Sequence, residues 1–296
     1  MVLVTAAPLQ PYVDALLEGA GRSQLLTRPG QDAHTALLSP SQAQALLAAD
    51  IIIVPDAAMN STIAMQVRKA AASGKTVIAL TDLPGADAMP YDDAQPWLGD
   101  DDHRPEEPAP DAMRDPHLWL DPLRMAALAE PLAQALAQKL PAIAATLHSN
   151  AQALREHLQH EVHPEIEAML RNRQGARTYT SRTSLPFITD HEAYRYFFAR
   201  YGIENPGALL VRPEDYLGAN TTRAQIKRAG EITLRCVIAE QETPRVRTMV
   251  SQTGGRFVRL SPEVIPGPQD VPVLPWIRNG YDRLLYQVAK NIGACL

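Results

Sequence analysis

Basic residues do not outnumber acidic ones in this chain: 28 Lys and Arg stand against 33 Asp and Glu, a formal net charge of −5. Nucleic acids and anionic membrane surfaces recruit basic patches, so neither is an expected partner. No apolar run approaches the ~20 residues that a bilayer-spanning helix requires. No secretory leader is legible, because Met1 runs directly into "VLVTAAPLQPYVDALL", which reads as strand then helix. Aromatics are scarce at 5%, so the cores must be built from Leu, Ala, Ile and Val, and a hydrophobic content of 46% is ample for that. Also missing are an HExxH motif, a G-x-S-x-G nucleophile elbow and an obvious general base beside the histidines discussed below. A hydrolytic enzyme would lack its usual machinery.

Cysteine occurs only twice. Cys236 lies in the apolar stretch "LRCVIAEQ", and Cys295 is the next-to-last residue. On the residues alone two readings stand. They are unrelated thiols, one of them in a core strand, or they form a disulfide. The bridge would contribute about 4 kcal/mol in the chain-entropy model and would imply an oxidising compartment.

What is present is alternation. "MVLVTAA", "SQLLTRPG", "DIIIVP" and "TVIALTD" read as strands, separated by helical stretches. Ser39 and Pro40 form an N-cap and first helical position, and Gly74 ends the helix after "DIIIVP". Repeated βα units of this kind predict a parallel sheet covered by helices. The pattern breaks at 83–114, where Pro, Asp and Glu dominate; this segment is expected to be a mobile acidic loop. Helix returns after "RDPHLWLDP", whose "HLWL" reads as a buried strand. Asp121 caps that helix and Pro122 opens it. From Pro141 to Arg171 apolar residues recur at helical spacing over roughly 45 Å, with Pro164 as a kink site. Strand and helix then alternate again, through "RTYTS", "PFIT", "ALLVR", "RCVIAEQ" and "FVRLS". The expected organisation is α/β: an N-terminal lobe over 1–121, a helical connector over 122–171 and a C-terminal lobe over 172–296. No residue-level internal repeat is evident.

Of eight histidines, His148, His157, His160 and His163 lie on the long helix among polar residues and are expected on a solvated face. His103 lies in the acidic loop. His34, His117 and His191 differ, because each stands at a strand-to-helix connection, where parallel α/β sheets place their ligand sites. Neutral imidazole suits zinc. Asp32, Asp115 and Asp190 are placed to orient the rings through the second nitrogen. A helix capped by Asp190 and starting at His191 would disfavour the imidazolium there. Three independent structural histidines would leave the same spacing.

Four motifs occur in the order and spacing of one group: "GQDAHTALLSPSQAQALLAADIIIV", "DPHLWLDP", "DHEAYRYFFARYGI" and "CVIAEQET". Along nearly its whole length the chain resembles the solute-binding proteins of zinc and manganese ABC importers, the cluster A-I metal receptors. "HLWLDP" and "HEAYRYF" are the most specific elements. The resemblance implies two α/β lobes joined by one long helix, with the metal between them. It places the metal ligands on His34, His117 and His191. Histidine at the third position is the zinc-type choice, so Zn(II) is the expected cargo ahead of Mn(II). The fourth position, an Asp in many relatives, falls on Ser261, a departure that leaves it to water or to a nearby carboxylate; Glu263, Asp32 and Glu240 are the candidates for fourth ligand or supporting residue. The resemblance also pairs Cys236 with Cys295. It implies a monomer in the periplasm or at the cell surface, its leader absent from this sequence, delivering metal to an ABC permease and served by a metallochaperone. Two other readings share features with this one. A receptor for a larger chelate, such as a siderophore or corrinoid, shares the long-helix architecture. A hydrolase or hydratase can hold zinc with three histidines and a water.

Overall fold

The computed structural model describes residues 1–28, 36–57, 61–90, 114–171, 184–213, 215 and 218–296. The chain divides into two compact units. The first comprises Met1–Ala88, Arg114–Ile166 and Glu263–Tyr286; the second comprises Met89–Met113, Glu167–Pro262 and Gln287–Leu296. The units are therefore interleaved in sequence, where the composition pattern suggests contiguous blocks with boundaries at 121 and 171.

The first unit is built on four parallel strands: β1 (Val2–Val4), β2 (Gln24–Leu25), β3 (Ile51–Val54) and β4 (Thr76–Ala79), in the order β2-β1-β3-β4. The four residues of β3 are all buried, as the unbroken apolar run requires of a strand covered on both faces. Helices α1 (Leu9–Leu16), α2 (Pro40–Ala48) and α3 (Ser61–Ala72) connect the strands. Leu46 of α2 and Val67 of α3 pack with Leu3, Ile52 and Val54 in one cluster. Ser39 caps α2 as expected, with its side chain accepting from Gln42 N and Gln42 reciprocating on Ser39 N. Gly74, just after α3, has φ +83, the left-handed turn that glycine permits.

The second unit repeats the plan. Strands β5 (Ser184–His191), β6 (Ala208–Leu210), β7 (Thr233–Ala239) and β8 (Arg256–Arg259) are parallel, in the order β6-β5-β7-β8. Helices α7 (Arg195–Tyr201), α8 (Ala219–Ala229) and α9 (Pro244–Thr253) join them. The correspondence reaches individual residues. Val2 lies opposite Ile51 in the first sheet and Leu185 opposite Leu234 in the second. Gln42 donates to the Leu26 carbonyl at 2.8 Å, and Gln225 donates to the Leu209 carbonyl at 2.8 Å. All four positions move by the same 183 residues. The repeat escapes the letters of the sequence because only the backbone pairing and one buried glutamine per unit preserve it.

Between the sheets in sequence lie α4 (Pro122–Ala137), α5 (Ala144–His157), a π turn (Leu158–Val162) and α6 (His163–Arg171). Asp121 caps α4, accepting from Leu123 N and Arg124 N, and Pro122 opens it, as expected. The helical run from Ala144 to Arg171 carries the chain from the first unit, which ends a segment at Ile166, into the second, which resumes at Glu167. The departure from α geometry is the π turn, which ends two residues before Pro164. That residue has no N–H to give a carbonyl in the preceding turn, so the hydrogen-bond ladder loosens there.

His157, expected on a solvated face, is instead buried at the junction with the π turn. Its Nε2 lies 3.1 Å from Asp282 of α10 (Gly280–Cys295), and its Nδ1 lies 3.3 Å from Glu161. His157 falls beside Leu154 and Leu158 on the apolar stripe, which the polar identity of the residue conceals. Cys236 of β7 and Cys295 at the end of α10 form a disulfide with their Cα atoms 5.7 Å apart. Among the described residues no helix is long and apolar enough to cross a membrane.

Candidate metal centre

The "RDPHLWLDP" stretch closes onto the first sheet. His117–Leu120 form one 3-10 turn, not the strand that the apolar run suggests. A run this short satisfies a buried turn as well as a buried strand, and periodicity does not separate them. All four residues are buried. Trp119 fixes the turn from within: its carbonyl accepts from Tyr281 OH at 2.6 Å, and the Tyr281 ring meets Tyr12 edge-on at 5.9 Å. The His117 ring stands against Trp119 at 5.1 Å.

Asp115 sets the chemistry of His117. Its Oδ1 accepts from the His117 backbone N at 3.0 Å and lies 2.8 Å from Nδ1, with both side chains fully buried. A carboxylate accepts, so Nδ1 carries the proton and the neutral ring keeps its lone pair on Nε2. This is the carboxylate–imidazole arrangement that prepares a histidine for a metal.

His191 repeats the device in the second unit with one difference from expectation. The residue ends β5, paired with Leu210, and the next helix begins only at Arg195. No helix N-terminus acts on His191, because the β ladder extends through it. Asp190 does the orienting instead. Its Oδ1 accepts from His191 N at 2.9 Å and lies 3.1 Å from Nδ1, while its Oδ2 accepts from Glu240 N at 3.0 Å. The ends of the neighbouring strands β5 and β7 are thus joined through one carboxylate. Burial, and after it the charges of Asp190 and Glu240, hold the Tyr194 hydroxyl well above its ordinary range. Burial is the main cause; the two acidic side chains that add to it stand at the carboxyl edge of this sheet, where negative charge favours a cation.

Ser261 follows β8 on the same edge as His191 and Glu240, in the second unit; Glu263 is buried and belongs to the first. His34 and Asp32 lie outside the described residues, as do His103 and the "RTYTS" strand. Among the described residues no group of three or more His, Cys, Asp and Glu side chains forms a metal cage. The structure therefore brings together His117 with Asp115, and His191 with Asp190 and the Glu240 backbone. One contributor was not singled out from the sequence: Arg114, which pairs with Asp56 and Asp82. Arginine directly before an Asp-Pro pair, at the end of an acidic run, is the signal that marks it.

The family model described as zinc-uptake complex component A, periplasmic (ZnuA), matches residues 2–293. The chain belongs to this family. A high-affinity zinc uptake system protein ZnuA of Brucella abortus (strain 2308) is 28% identical over 308 residues, covering 94% of this chain and 88% of that protein. The protein of that name from Haemophilus ducreyi is 25% identical, covering 100% and 93%. Among solved structures, the periplasmic zinc binding protein TroA from Treponema pallidum superposes with a TM-score of 0.73 at 17% identity, covering 99% of this chain and 98% of that one. The solute-binding protein FpvC from Pseudomonas aeruginosa, in complex with Mn2+, gives 0.71 at 14% identity, covering 99% and 95%. At such identities these structures establish the fold: two parallel α/β units, as ZnuA relatives have.

Proposed function

We propose that this chain captures Zn(II) outside the cytoplasm and passes it to the permease of an ABC-type importer. The observation that carries the reading is the Asp115–His117 pair, buried and bonded through Nδ1 as a carboxylate-oriented metal ligand would be, in a chain that matches a zinc-uptake family almost end to end. His191 with Asp190 supports it by the same chemistry. In this reading His34, His117 and His191 bind one ion, and the fourth position goes to water or to a carboxylate drawn from Glu263, Asp32 and Glu240, since Ser261 stands where relatives carry Asp. Zn(II) is the preferred cargo over Mn(II) because three imidazoles are softer donors than a carboxylate-rich set. The protein acts as a periplasmic monomer, without catalysis, and a metallochaperone is a further partner.

Two measurements test this. Freshly purified protein is expected to carry one zinc per chain, and His117→Ala is expected to weaken zinc binding by more than about tenfold in a calorimetric titration. Unchanged affinity removes His117 from the site. An organic chelate in place of bare metal points to the siderophore or corrinoid receptor, and clear turnover of esters or CO2 by zinc-loaded protein points to the enzyme.

A further inference from the structure

We propose that Arg114 is the positioning residue of the zinc site, a clamp that fixes the His117 turn to the carboxyl edge of the first sheet. The proposal rests on the reading of His117 as a ligand. Asp115 orients the imidazole, but Asp115 lies two residues before the single 3-10 turn that carries His117, and that turn belongs to no strand or long helix, so the segment itself must be held. Arg114 is the residue directly before Asp115. One terminal nitrogen of its guanidinium lies 2.9 Å from Asp56 Oδ2 and 2.7 Å from Asp82 Oδ1; the other donates to the Thr81 carbonyl at 3.0 Å. Thr81 donates its hydroxyl to the same Asp56 oxygen at 2.7 Å. Asp56 follows β3 by two residues, and Thr81 and Asp82 follow β4. The guanidinium thus ties the ends of two neighbouring strands to the peptide that leads into His117.

The geometry calls for arginine. Three acceptors in three directions match a planar fork with several N–H groups, whereas a lysine ammonium is a compact charge on a flexible stem. Asp56 is nearly buried, so its carboxylate holds the guanidinium in a site of reduced solvent screening. A second arginine ties down the chain that follows the turn: Arg124, in the first turn of α4, donates to the carbonyls of Ala86 and Asp87. Every group of the clamp belongs to the first unit. The arrangement predicts that Arg114 acts on zinc only through His117.

The test compares zinc affinity, by chelator competition, for Arg114→Lys and Asp82→Asn in the wild-type and His117→Ala backgrounds. Asp82 is 62% exposed, so its neutralisation loosens the clamp without stranding a buried charge. Either change is expected to weaken zinc binding about tenfold in the wild-type background and by less than about twofold in His117→Ala, with the thermal midpoint nearly unmoved. Equal losses in both backgrounds, or no loss in the first, overturn the clamp. A second reading uses metal-free protein and proton NMR of the His117 Nδ1–H. Wild-type protein is expected to show a protected signal that Arg114→Lys loses. If His117→Ala leaves zinc binding intact, the ligand reading fails, and this signal alone decides the clamp: lost, it supports the clamp; retained, it overturns it.

Discussion

Asp282 lies 3.1 Å from His157, both side chains buried, and this pair joins the start of α10 to the end of α5 across 125 residues of chain. The second ring nitrogen faces Glu161, and Asp282 also accepts from the backbone N of Arg278 at 2.8 Å and of Asn279 at 3.2 Å. Replacing the ring with an apolar group strands a buried carboxylate. His157→Leu is therefore expected to destabilise the protein by about 3 kcal/mol, and His157→Leu with Asp282→Leu by less than the sum of the two single changes. Urea unfolding of the four proteins checks the coupling.

The orienting carboxylates should matter to zinc but not to folding. Asp115→Asn removes the charge that fixes the His117 tautomer while keeping an acceptor in place. A loss of about 10–100-fold in zinc affinity is expected, with a similar loss for Asp190→Asn. Chelator competition gives both values. Affinities within twofold of wild type would show that the rings need no carboxylate.

In the proposed reading Ser261 falls on the fourth ligand position. Ser261→Asp returns a carboxylate to the carboxyl edge of the second sheet, beside Glu240. Tighter zinc binding by about tenfold is the expected outcome, since a charged oxygen donor replaces a neutral one. Ser261→Ala is expected to change little. A titration in which the Asp variant binds no better excludes Ser261 as the fourth position.

The disulfide can be weighed directly. Cys236→Ser with Cys295→Ser frees the end of α10 from β7, and the chain-entropy model gives a loss of about 4 kcal/mol. Reductant should lower the melting temperature of wild-type protein and leave that of the double variant unchanged.

Much of the fold was legible because hydrophobic runs and caps are local. β3 and β4, the Ser39 cap and the Asp121 cap all follow from residues within four positions of each other. What was not legible depends on partners distant in sequence. "HLWL" becomes a turn whose Trp119 carbonyl is held by the Tyr281 hydroxyl, 162 residues away. His157 becomes a core residue because Asp282 awaits it. His191 stays in a strand because Leu210 pairs with it. His34, His117 and His191 became candidates from where connections fall, since carboxyl ends of parallel strands are fixed by topology. The orienting role of Asp115 and Asp190 followed from their adjacency, whereas the Asp190 bond to Glu240 N needed the register of β5 with β7.

The last helix is divided between the two units, contributing up to Tyr286 to one and from Gln287 to the other. Tyr281 and Asp282, which complete the surroundings of Trp119 and His157, thus come from beyond β8, after every strand of the second sheet. Neither half can be excised as a contiguous gene fragment. The first half gains its full complement of side chains only after the strands of the second have been synthesised, and a truncation before residue 281 would cripple it.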